Sequence, residues 1–395
     1  MSESIVIVGA ARTPMGNFQG DFASLSASDL GAAAIKAAVE RAGIPNDAVG
    51  EVLMGNCLMA GQGQAPARQA AHKAGLPRST GAITLSKMCA SGMQAVMFAH
   101  DMLLAGTHDI LVAGGMESMT NAPYLLLKGR GGYRMGHDRI FDHMTLDGLE
   151  DAYEPGRAMG TFGEDCAAKY GFTREQQDAF AKDSVLRAQR SAVPGGAFAA
   201  EVTPVAVKDR AGERVISLDE GPGKVKVDKI PLLKPAFKKD GGTITAASAS
   251  SINDGAAAMV LMTESTAKRV GAKPLARIVS HAVHSQEPNW FTTAPIGATQ
   301  KALKKAGWKV SDVDLWEINE AFAVVPMALM HDLKVPSDIV NVNGGGLVLG
   351  HPIGASGARI LVTLVHAMQA RGARRGLATL CIGGGEGTAM TVELL

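Results

Sequence analysis

Residues 85–97 read LSKMCASGMQAVM: an apolar residue that ends a short β-type stretch, then a cysteine, three small residues and an apolar helical pattern. From Met93 onward, apolar side chains recur at three- and four-residue spacings. The order predicts a strand, a tight turn and a helix with Cys89 at its amino terminus. Free N–H groups and the helix dipole favour a thiolate there, the nucleophilic form of cysteine. A buried structural cysteine is the alternative, since free cysteine is often buried.

Strand and helix patterns alternate around this stretch. Residues 109–115 (DILVAGG) form a continuous apolar run, typical of a parallel strand buried on both faces. The sequence also predicts strands at residues 5–8 and 51–54, a turn at 9–14 and a helix at 29–43. This alternation predicts the α/β class.

The second half of the chain repeats motifs of the first in the same order. Residues 41–55 (RAGIPNDAVGEVLMG) resemble residues 305–319 (KAGWKVSDVDLWEIN), and the Ala-Ser-Gly of residues 90–92 recurs at 355–357. Nearly constant spacing between these matches predicts two similar α/β domains packed against each other. Residues 121–251 differ in character and read as an insertion, with a helix near residues 174–191 capped by Thr173.

Three further stretches place polar residues in unusual surroundings. Asn319 follows an apolar strand pattern, His351 lies in a glycine-rich loop before a helix, and Cys381 precedes the glycines 383–385. Singly, each has an ordinary explanation as a turn asparagine, a loop histidine or a core cysteine. The repeat, however, puts the Cys89 and His351 loops in equivalent positions, so a pseudo-twofold pairing brings them face to face. His351 can then take the thiol proton, Cys381 can exchange a proton with carbon, and the Gly383 amide can bind an oxyanion.

Composition bounds the function. The chain has 395 residues, 46% of them hydrophobic and 19% charged, with a net charge of +1, which suits two or three soluble domains. Such balance argues against nucleic-acid or membrane binding through bulk charge. Four widely spaced cysteines indicate a reduced compartment and no structural zinc, and the start MSESIVIVGA shows no leader, which predicts a cytoplasmic protein. Four lysines could contact phosphates or form a solvated face: Lys224, Lys226, Lys229 and Lys234.

Five motifs, CASGMQAV, GGMESMTNAPY, NEAF, NGGGLVLGHPIGASGARIL and LCIGGGEG, resemble those of the thiolase family in order and spacing over essentially the whole chain. The resemblance implies a five-layered α-β-α-β-α fold. It divides the chain into an N-terminal domain (1–121 with 252–272), a loop domain (122–251) and a C-terminal domain (273–395). The implied activity is acyl-CoA:acetyl-CoA C-acyltransfer, in which two acetyl-CoA give acetoacetyl-CoA and CoA, or the reverse. No metal or redox cofactor is implied, and members are commonly dimers or tetramers.

The matching motifs also imply residue roles. Cys89 is the acylated nucleophile, His351 activates it, and Cys381 is the acid and base at the substrate α-carbon. Asn319 holds a water that binds the thioester oxygen with His351, and the amides of Cys89 and Gly383 form the other oxyanion hole. Residues implied in substrate or CoA binding are Ser250, Met159, Phe237, Ala249 and Leu349. The RGGYRMG stretch (130–136) resembles a loop that joins dimers into tetramers.

The chain departs from the usual family pattern at several positions around the site. Tyrosine and histidine are replaced by Arg157 and Ala158, and the residue after the last glycine triplet is Glu386. Other departures are Ser248, Ser251, Gly346 and Leu347. Met159 and the 130–136 loop favour a short-chain substrate, whereas Ala158 could open the pocket to longer or branched acyl groups. A decarboxylating ketoacyl synthase, a non-catalytic binding protein and a cysteine hydrolase are the rival hypotheses. Cys381 argues against the first, and the intact set of catalytic residues against the second.

Overall fold

The computed structural model describes residues 3–209 and 212–395, so the first two residues of the amino-terminal stretch lie outside it. The strands are β1 Ile5–Arg12, β2 Gly16–Asn17, β3 Glu51–Gly55, β4 Gly81–Leu85, β5 Ile110–Ser118, β6 Tyr124–Leu125, β7 Phe141–Asp142, β8 Val205–Asp209, β9 Gly212–Ile216, β10 Asn253–Thr263, β11 Ala276–Ser285, β12 Leu315–Ile318, β13 Arg375–Ile382 and β14 Glu386–Leu394. The α-helices are α1 Ala27–Ala42, α2 Pro66–Lys73, α3 Ser91–Leu104, α4 Met159–Tyr170, α5 Arg174–Ser191, α6 Glu264–Val270, α7 Ala294–Ala306, α8 Val324–Leu333, α9 Gly346–Leu349 and α10 Ile353–Arg371.

Nine of these strands form one hydrogen-bonded path in the order β12-β13-β14-β11-β1-β10-β5-β3-β4, and β2 pairs with β10 as a tenth strand. The path consists of two halves, because β1 and β11 share only two residue pairs, Val6 with Arg277 and Ile7 with Ala276. In each half, parallel pairs lie on the outside (β3 with β4 and β5, β12 with β13). The halves therefore behave as two similar sheets joined at one short seam.

Helices fill the spaces on and between these two half-sheets. Helices α1 and α2 cover the outer face of the first half, α7 and α8 cover the outer face of the second, and α3 and α10 pack together between them. Strand β1 shows why its apolar run is continuous: Ile5 and Ile7 face the central core, while Val6 and Val8 face the outer one. This is the five-layered α-β-α-β-α arrangement.

Matching elements confirm the internal repeat. Helices α1 and α7 both end at a left-handed glycine, Gly43 and Gly307, and each is followed by a 3₁₀ turn and a parallel strand. At the centre, a Cβ on Gly92 would meet the backbone of Ala358 at 2.8 Å, and one on Gly357 would meet Met93 at 2.6 Å. The two Ala-Ser-Gly motifs thus face each other where α3 crosses α10.

One predicted boundary is wrong. Residues 9–12 were expected to form a turn, but β1 continues to Arg12 and pairs with β10 after a register shift between Ile7 and Gly9. The bulge lets the strand continue past glycine, and buried Arg12 is held by Asp219 and Glu201 from the inserted region. The helix predicted in that region is confirmed as α5, with a capping box between Thr173 and Gln176. No helix in the described ranges is long and apolar enough to cross a membrane.

Candidate active site

Cys89 lies in a tight turn immediately before α3, as the sequence predicts. Met88 adopts a left-handed conformation with φ of 45°, which is uncommon for a residue with a side chain. The Ser91 hydroxyl holds the turn, since it accepts from the Lys87 N–H (2.7 Å) and donates to the Met88 carbonyl (2.7 Å). Cys57 adds a second donor to that carbonyl at 3.2 Å. The backbone before the helix is therefore fixed from both sides.

His351 is buried between α9 and α10, and its two ring nitrogens have different surroundings. Nδ1 lies 2.6 Å from Ser356 Oγ, and the single proton of that hydroxyl is directed to the Pro352 carbonyl at 3.0 Å. Ser356 therefore accepts a hydrogen bond from Nδ1–H, which leaves Nε2 with a bare lone pair. Nε2 is buried and has no hydrogen-bond partner among the described residues. This tautomer can receive a proton.

Electrostatics keep this histidine neutral. Burial, with a smaller contribution from the positive charge of Arg359, lowers the pKa of His351 to about 4. At neutral pH the imidazole is therefore a base rather than a cation.

The sequence predicts that the helix terminus favours a thiolate at Cys89, and in the structure burial opposes that effect. Removal of the sulfur from water raises the pKa of Cys89 to about 11. The backbone N–H groups of Gly383 and of Cys89 itself oppose that effect, but desolvation is the larger contribution. The helix terminus thus moderates the cost of burying the sulfur without reversing it, and the thiol needs a base to become a nucleophile.

Cys381 and Gly383 come to the same place from the second half of the chain. Cys381 is fully buried near the end of β13, and burial, followed by the proximity of Cys89, raises the pKa of its thiol well above the usual range. The Gly383 N–H interacts with the Cys89 sulfur and lowers the pKa of its thiol, against the larger effect of burial. A nucleophilic sulfur, a second thiol and a backbone donor are therefore neighbours.

Asn319 joins His351 on the other side of the site. Its Nδ2 lies 3.4 Å from His351 Nδ1, a contact between two donors rather than a hydrogen bond in this tautomer, and its buried Oδ1 has no partner among the described residues. Cys89 packs against the apolar cluster that contains Ile353, two residues beyond His351. The structure thus brings together loops from both halves that carry all five predicted catalytic residues.

Four of the five predicted substrate-binding residues surround the NEAF motif or the glycine triplet. Phe237 makes an edge contact with Phe322 at 6.0 Å between ring centroids, Ala249 bridges to Phe322, and the Ser250 N–H donates to the Ala321 carbonyl at 2.9 Å. The Met159 methyl lies 3.2 Å from the position of a Cβ on Gly383. These four residues therefore lie next to the segments that carry Asn319 and Gly383, and their role in substrate binding stays a prediction.

Leu349 differs from the other four. It is fully buried in a separate cluster with Val185, Ala188 and Phe198. This side chain supports the insertion on the body of the protein and presents no surface to a substrate in this structure.

Two supporting residues were missed in the sequence. Ser356 was noted only as part of a repeated motif. Glu117 is buried and accepts from the N–H groups of Cys57 (3.0 Å) and Gly354 (2.8 Å), which ties the first half to the start of α10. An acidic residue at the end of the apolar run DILVAGGMES was the available signal, because a buried carboxylate needs partners.

The departures from the family pattern have specific contacts. Glu386 forms an ion pair with Lys87 at 2.6 Å, which links the cysteine turn to the strand after the glycine triplet. Arg157 lies over the Phe162 ring at 3.7 Å and pairs with Glu154, so its side chain is held against α4. Ser248 accepts from the Thr245 N–H at 2.9 Å and stabilises a turn. These contacts hold the three side chains in place.

Comparison with known proteins gives the family. The model for the thiolase N-terminal domain matches residues 5–265, and that for the thiolase C-terminal domain matches residues 272–394. The chain belongs to the thiolase family. An acetyl-CoA acetyltransferase of Escherichia coli is 51% identical over 395 residues, covering 100% of both chains, and one of Chromobacterium violaceum is 50% identical over 391 residues, covering 98% of this chain and 99% of the relative.

Solved structures agree with this assignment. The Bacillus anthracis acetyl-CoA acetyltransferase superposes with a TM-score of 0.96 at 40% identity, covering 100% of this chain and 99% of the other. A thiolase of Ascaris suum in complex with coenzyme A superposes with a TM-score of 0.94 at 41% identity, covering 100% of both chains. The thiolase fold predicted from the sequence is confirmed, whereas the proposed three-domain boundaries stay a prediction.

Proposed function

We propose that this protein is an acetyl-CoA C-acetyltransferase that condenses two acetyl-CoA to acetoacetyl-CoA and CoA, and catalyses the reverse thiolysis. Full-length relatives at about half identity carry that name. The observation that carries the proposal is that Cys89 lies next to the Gly383 N–H and Cys381 and packs against the cluster containing Ile353, two residues after the neutral His351. Acyl-CoA and CoA are the substrates, and no metal or redox cofactor takes part in these steps.

In the first half-reaction, His351 Nε2 takes the Cys89 proton while the sulfur attacks the acetyl carbonyl. The developing oxyanion accepts from the N–H groups of Cys89 and Gly383. When the carbon–sulfur bond to CoA breaks, Cys381 gives its proton to the CoA thiolate. The products are acetyl-Cys89, free CoA, an imidazolium at His351 and a thiolate at Cys381.

In the second half-reaction, the Cys381 thiolate removes an α-proton from a second acetyl-CoA. The enolate oxygen is stabilised by protonated His351 and by a water held on Asn319. The enolate carbon attacks acetyl-Cys89, a carbon–carbon bond forms, and the Cys89 thiolate recovers its proton from His351. Both thiols and the neutral imidazole are restored, so protons balance over the cycle.

The acyl group is proposed to be short. The Met159 methyl lies close to Gly383, whose N–H interacts with the Cys89 sulfur, and this supports a small acyl pocket. The alternative is a longer or branched 3-oxoacyl chain, for which the small side chain of Ala158 makes room. Comparable kcat/KM for four-carbon and six-carbon 3-oxoacyl-CoA would exclude the short-chain preference.

A homo-oligomer, dimer or tetramer, is proposed as the working state. Its support is an exposed apolar set around the 130–136 loop: Tyr124, Leu126, Leu127, Met135 and Ile140. Light scattering of the purified protein measures the state directly, and a monomer would contradict the proposal. A cytoplasmic location is proposed from the free state of all four cysteines.

The deciding experiment is CoA-dependent thiolysis of acetoacetyl-CoA, followed by loss of the enolate absorbance, with Cys89→Ala beside the unmodified protein. We expect rapid cleavage that is lost in the variant, with acetylation of Cys89 detected by mass spectrometry in the unmodified protein alone. If the unmodified protein does not cleave acetoacetyl-CoA but cleaves longer 3-oxoacyl-CoA, the long-chain alternative is favoured. Full activity of Cys89→Ala would reject the mechanism.

A further inference from the structure

Two histidines and an aspartate meet far from the cysteines, between the two halves of the chain. His100 and Asp101 lie near the carboxyl end of α3, and His281 lies in the middle of β11. His100 Nδ1 and His281 Nε2 are 2.9 and 3.0 Å from the same oxygen, Asp101 Oδ1, and 3.3 Å from each other. Since 180 residues separate Asp101 from His281, the sequence alone gives no metal-ligand spacing.

One of these distances matches the edge of a tetrahedral zinc coordination shell. Ligands of tetrahedral Zn²⁺ at 2.0–2.1 Å from the metal are about 3.3 Å apart, the separation of the two ring nitrogens here. The rings are nearly perpendicular, with centroids 5.0 Å apart, and both nitrogens are directed at one carboxylate oxygen. Asp101 is 56% exposed, so its carboxylate has room to move back and admit an ion between it and the rings.

We propose that His100, Asp101 and His281 form a binding site for a divalent transition metal of the Zn²⁺ type, with water as the fourth ligand. Two imidazoles and one carboxylate are ligands that Zn²⁺ accepts. On binding, each ring presents a lone pair to the metal, so its hydrogen moves to the other ring nitrogen. This proposal is independent of the proposed acyl-transfer reaction, and the metal site supplies no catalytic step.

The surroundings are compatible with this site. The His281 side chain is 17% exposed, so its surroundings hold the ring in place beside Asp101. Lys305 is the nearby cation, and its Nζ is held by the His281 carbonyl at 2.9 Å. A bound ion would join α3, which begins at the cysteine turn, to a strand of the second half.

The chain offers a matched control. His331 and Asp332 on α8 form the same neighbouring pair, with 2.9 Å between Nδ1 and Oδ1. Among the described residues, no further histidine, cysteine or carboxylate completes a group of three at that place. His331→Gln therefore removes a histidine–aspartate contact without removing the proposed site.

The test is titration of the full-length protein with ZnCl₂, by calorimetry and by metal analysis after dialysis. We expect one Zn²⁺ per chain and a rise in thermal midpoint, with binding weakened at least about tenfold in both His100→Gln and His281→Gln and unchanged in His331→Gln. Asp101→Asn, which changes a mostly exposed side chain, gives an independent variant if either glutamine variant folds poorly. The proposal would be overturned if the unmodified protein showed no saturable zinc binding. It would also be overturned if the site variants bound zinc equally well, because zinc held by Cys89 or Cys381 would survive these substitutions.

Discussion

Ser356 has one hydroxyl proton, and the direction of that proton decides which nitrogen of His351 is basic. In Ser356→Ala the imidazole loses the acceptor that fixes Nδ1–H, so both tautomers become populated. We expect kcat for thiolysis to fall about tenfold, less than the 10²–10⁴ expected for loss of a general base. Ser356→Thr retains a hydroxyl and should recover part of the loss. Equal activity of the alanine variant and the unmodified protein would remove Ser356 from the positioning of His351.

The raised pKa of Cys89 predicts how the reactivity of its sulfur depends on pH. Because the pKa of Cys89 is raised to about 11, the thiolate fraction increases with pH throughout the range from 7 to 10. Alkylation of Cys89 by iodoacetamide should therefore accelerate without a plateau below about pH 10. Glutathione, a small-molecule thiol, serves as the control and should level off earlier. A plateau near pH 7 for the enzyme would show that Cys89 rests as a thiolate paired with imidazolium.

The meeting of Cys89 with Cys381 and Gly383 was predictable from the sequence, and their catalytic roles stay a prediction; the effect of burial on protonation was not predictable. Cys89, His351 and Cys381 lie in motifs whose residue types suit nucleophilic and acid–base roles. The glycines beside them indicate that another backbone segment or a ligand packs closely. Burial of the Cys89 sulfur depends on loops from both halves, so no local pattern could show that desolvation outweighs the helix terminus. Ser356, the partner of His351, lies in the first turn of α10, so the contact exists only once that turn has folded.

Among the elements, the turn before α3 and the glycine triplet before β14 must stay aligned in the proposed mechanism, in which the N–H groups of Cys89 and Gly383 share one oxyanion. The Lys87–Glu386 ion pair joins them across 299 residues of sequence. Both side chains are partly exposed, at 23% and 30%, so we expect a contribution to stability below about 1 kcal/mol. The main effect should instead fall on kcat.

A double-mutant cycle tests this pair. Lys87→Met and Glu386→Gln should each lower kcat by about threefold with KM little changed, and the double variant should be no worse than either single one, because the shared contact is lost only once. Steady-state thiolysis kinetics measure the cycle, and the exchanged pair Lys87→Glu with Glu386→Lys should restore part of the rate. Losses that multiply in the double variant would mean that the two side chains act independently.

Element boundaries were predicted well where the signal was local. The capping residues of α5 are an example, and α1 ends one residue before the predicted end at Gly43. The end of β1 was missed because Gly9 and Pro14 suggested a turn, whereas pairing with β10, more than two hundred residues away, extends the strand. Long-range pairing overrode local turn preference.

At the scale of the molecule, the crossing of α3 and α10 holds the two halves together. A methyl group on Gly92 or Gly357 would meet the backbone of the other helix at 2.8 or 2.6 Å, and backbone cannot move aside as a flexible side chain does. Gly92→Ala and Gly357→Ala should each lower the free energy of unfolding by about 2 kcal/mol, although alanine favours helix by about 1 kcal/mol.

Denaturant unfolding measures these changes. Gly223→Ala is the control, because a Cβ there meets nothing within 4 Å. Unchanged stability in both helix variants would show that the crossing relaxes at no cost. The internal repeat made this contact foreseeable in outline, since the two motifs are equivalent, but only the folded backbone shows how closely they approach.

The reciprocal contact of the two motif glycines also bears on ancestry. A half-length chain with a single Ala-Ser-Gly motif could close such a crossing only by pairing with a second copy of itself. When two copies are joined in one chain, the two facing motifs no longer need to have the same sequence. The two loops are then free to diverge, and in this chain one carries the cysteine and the other the histidine.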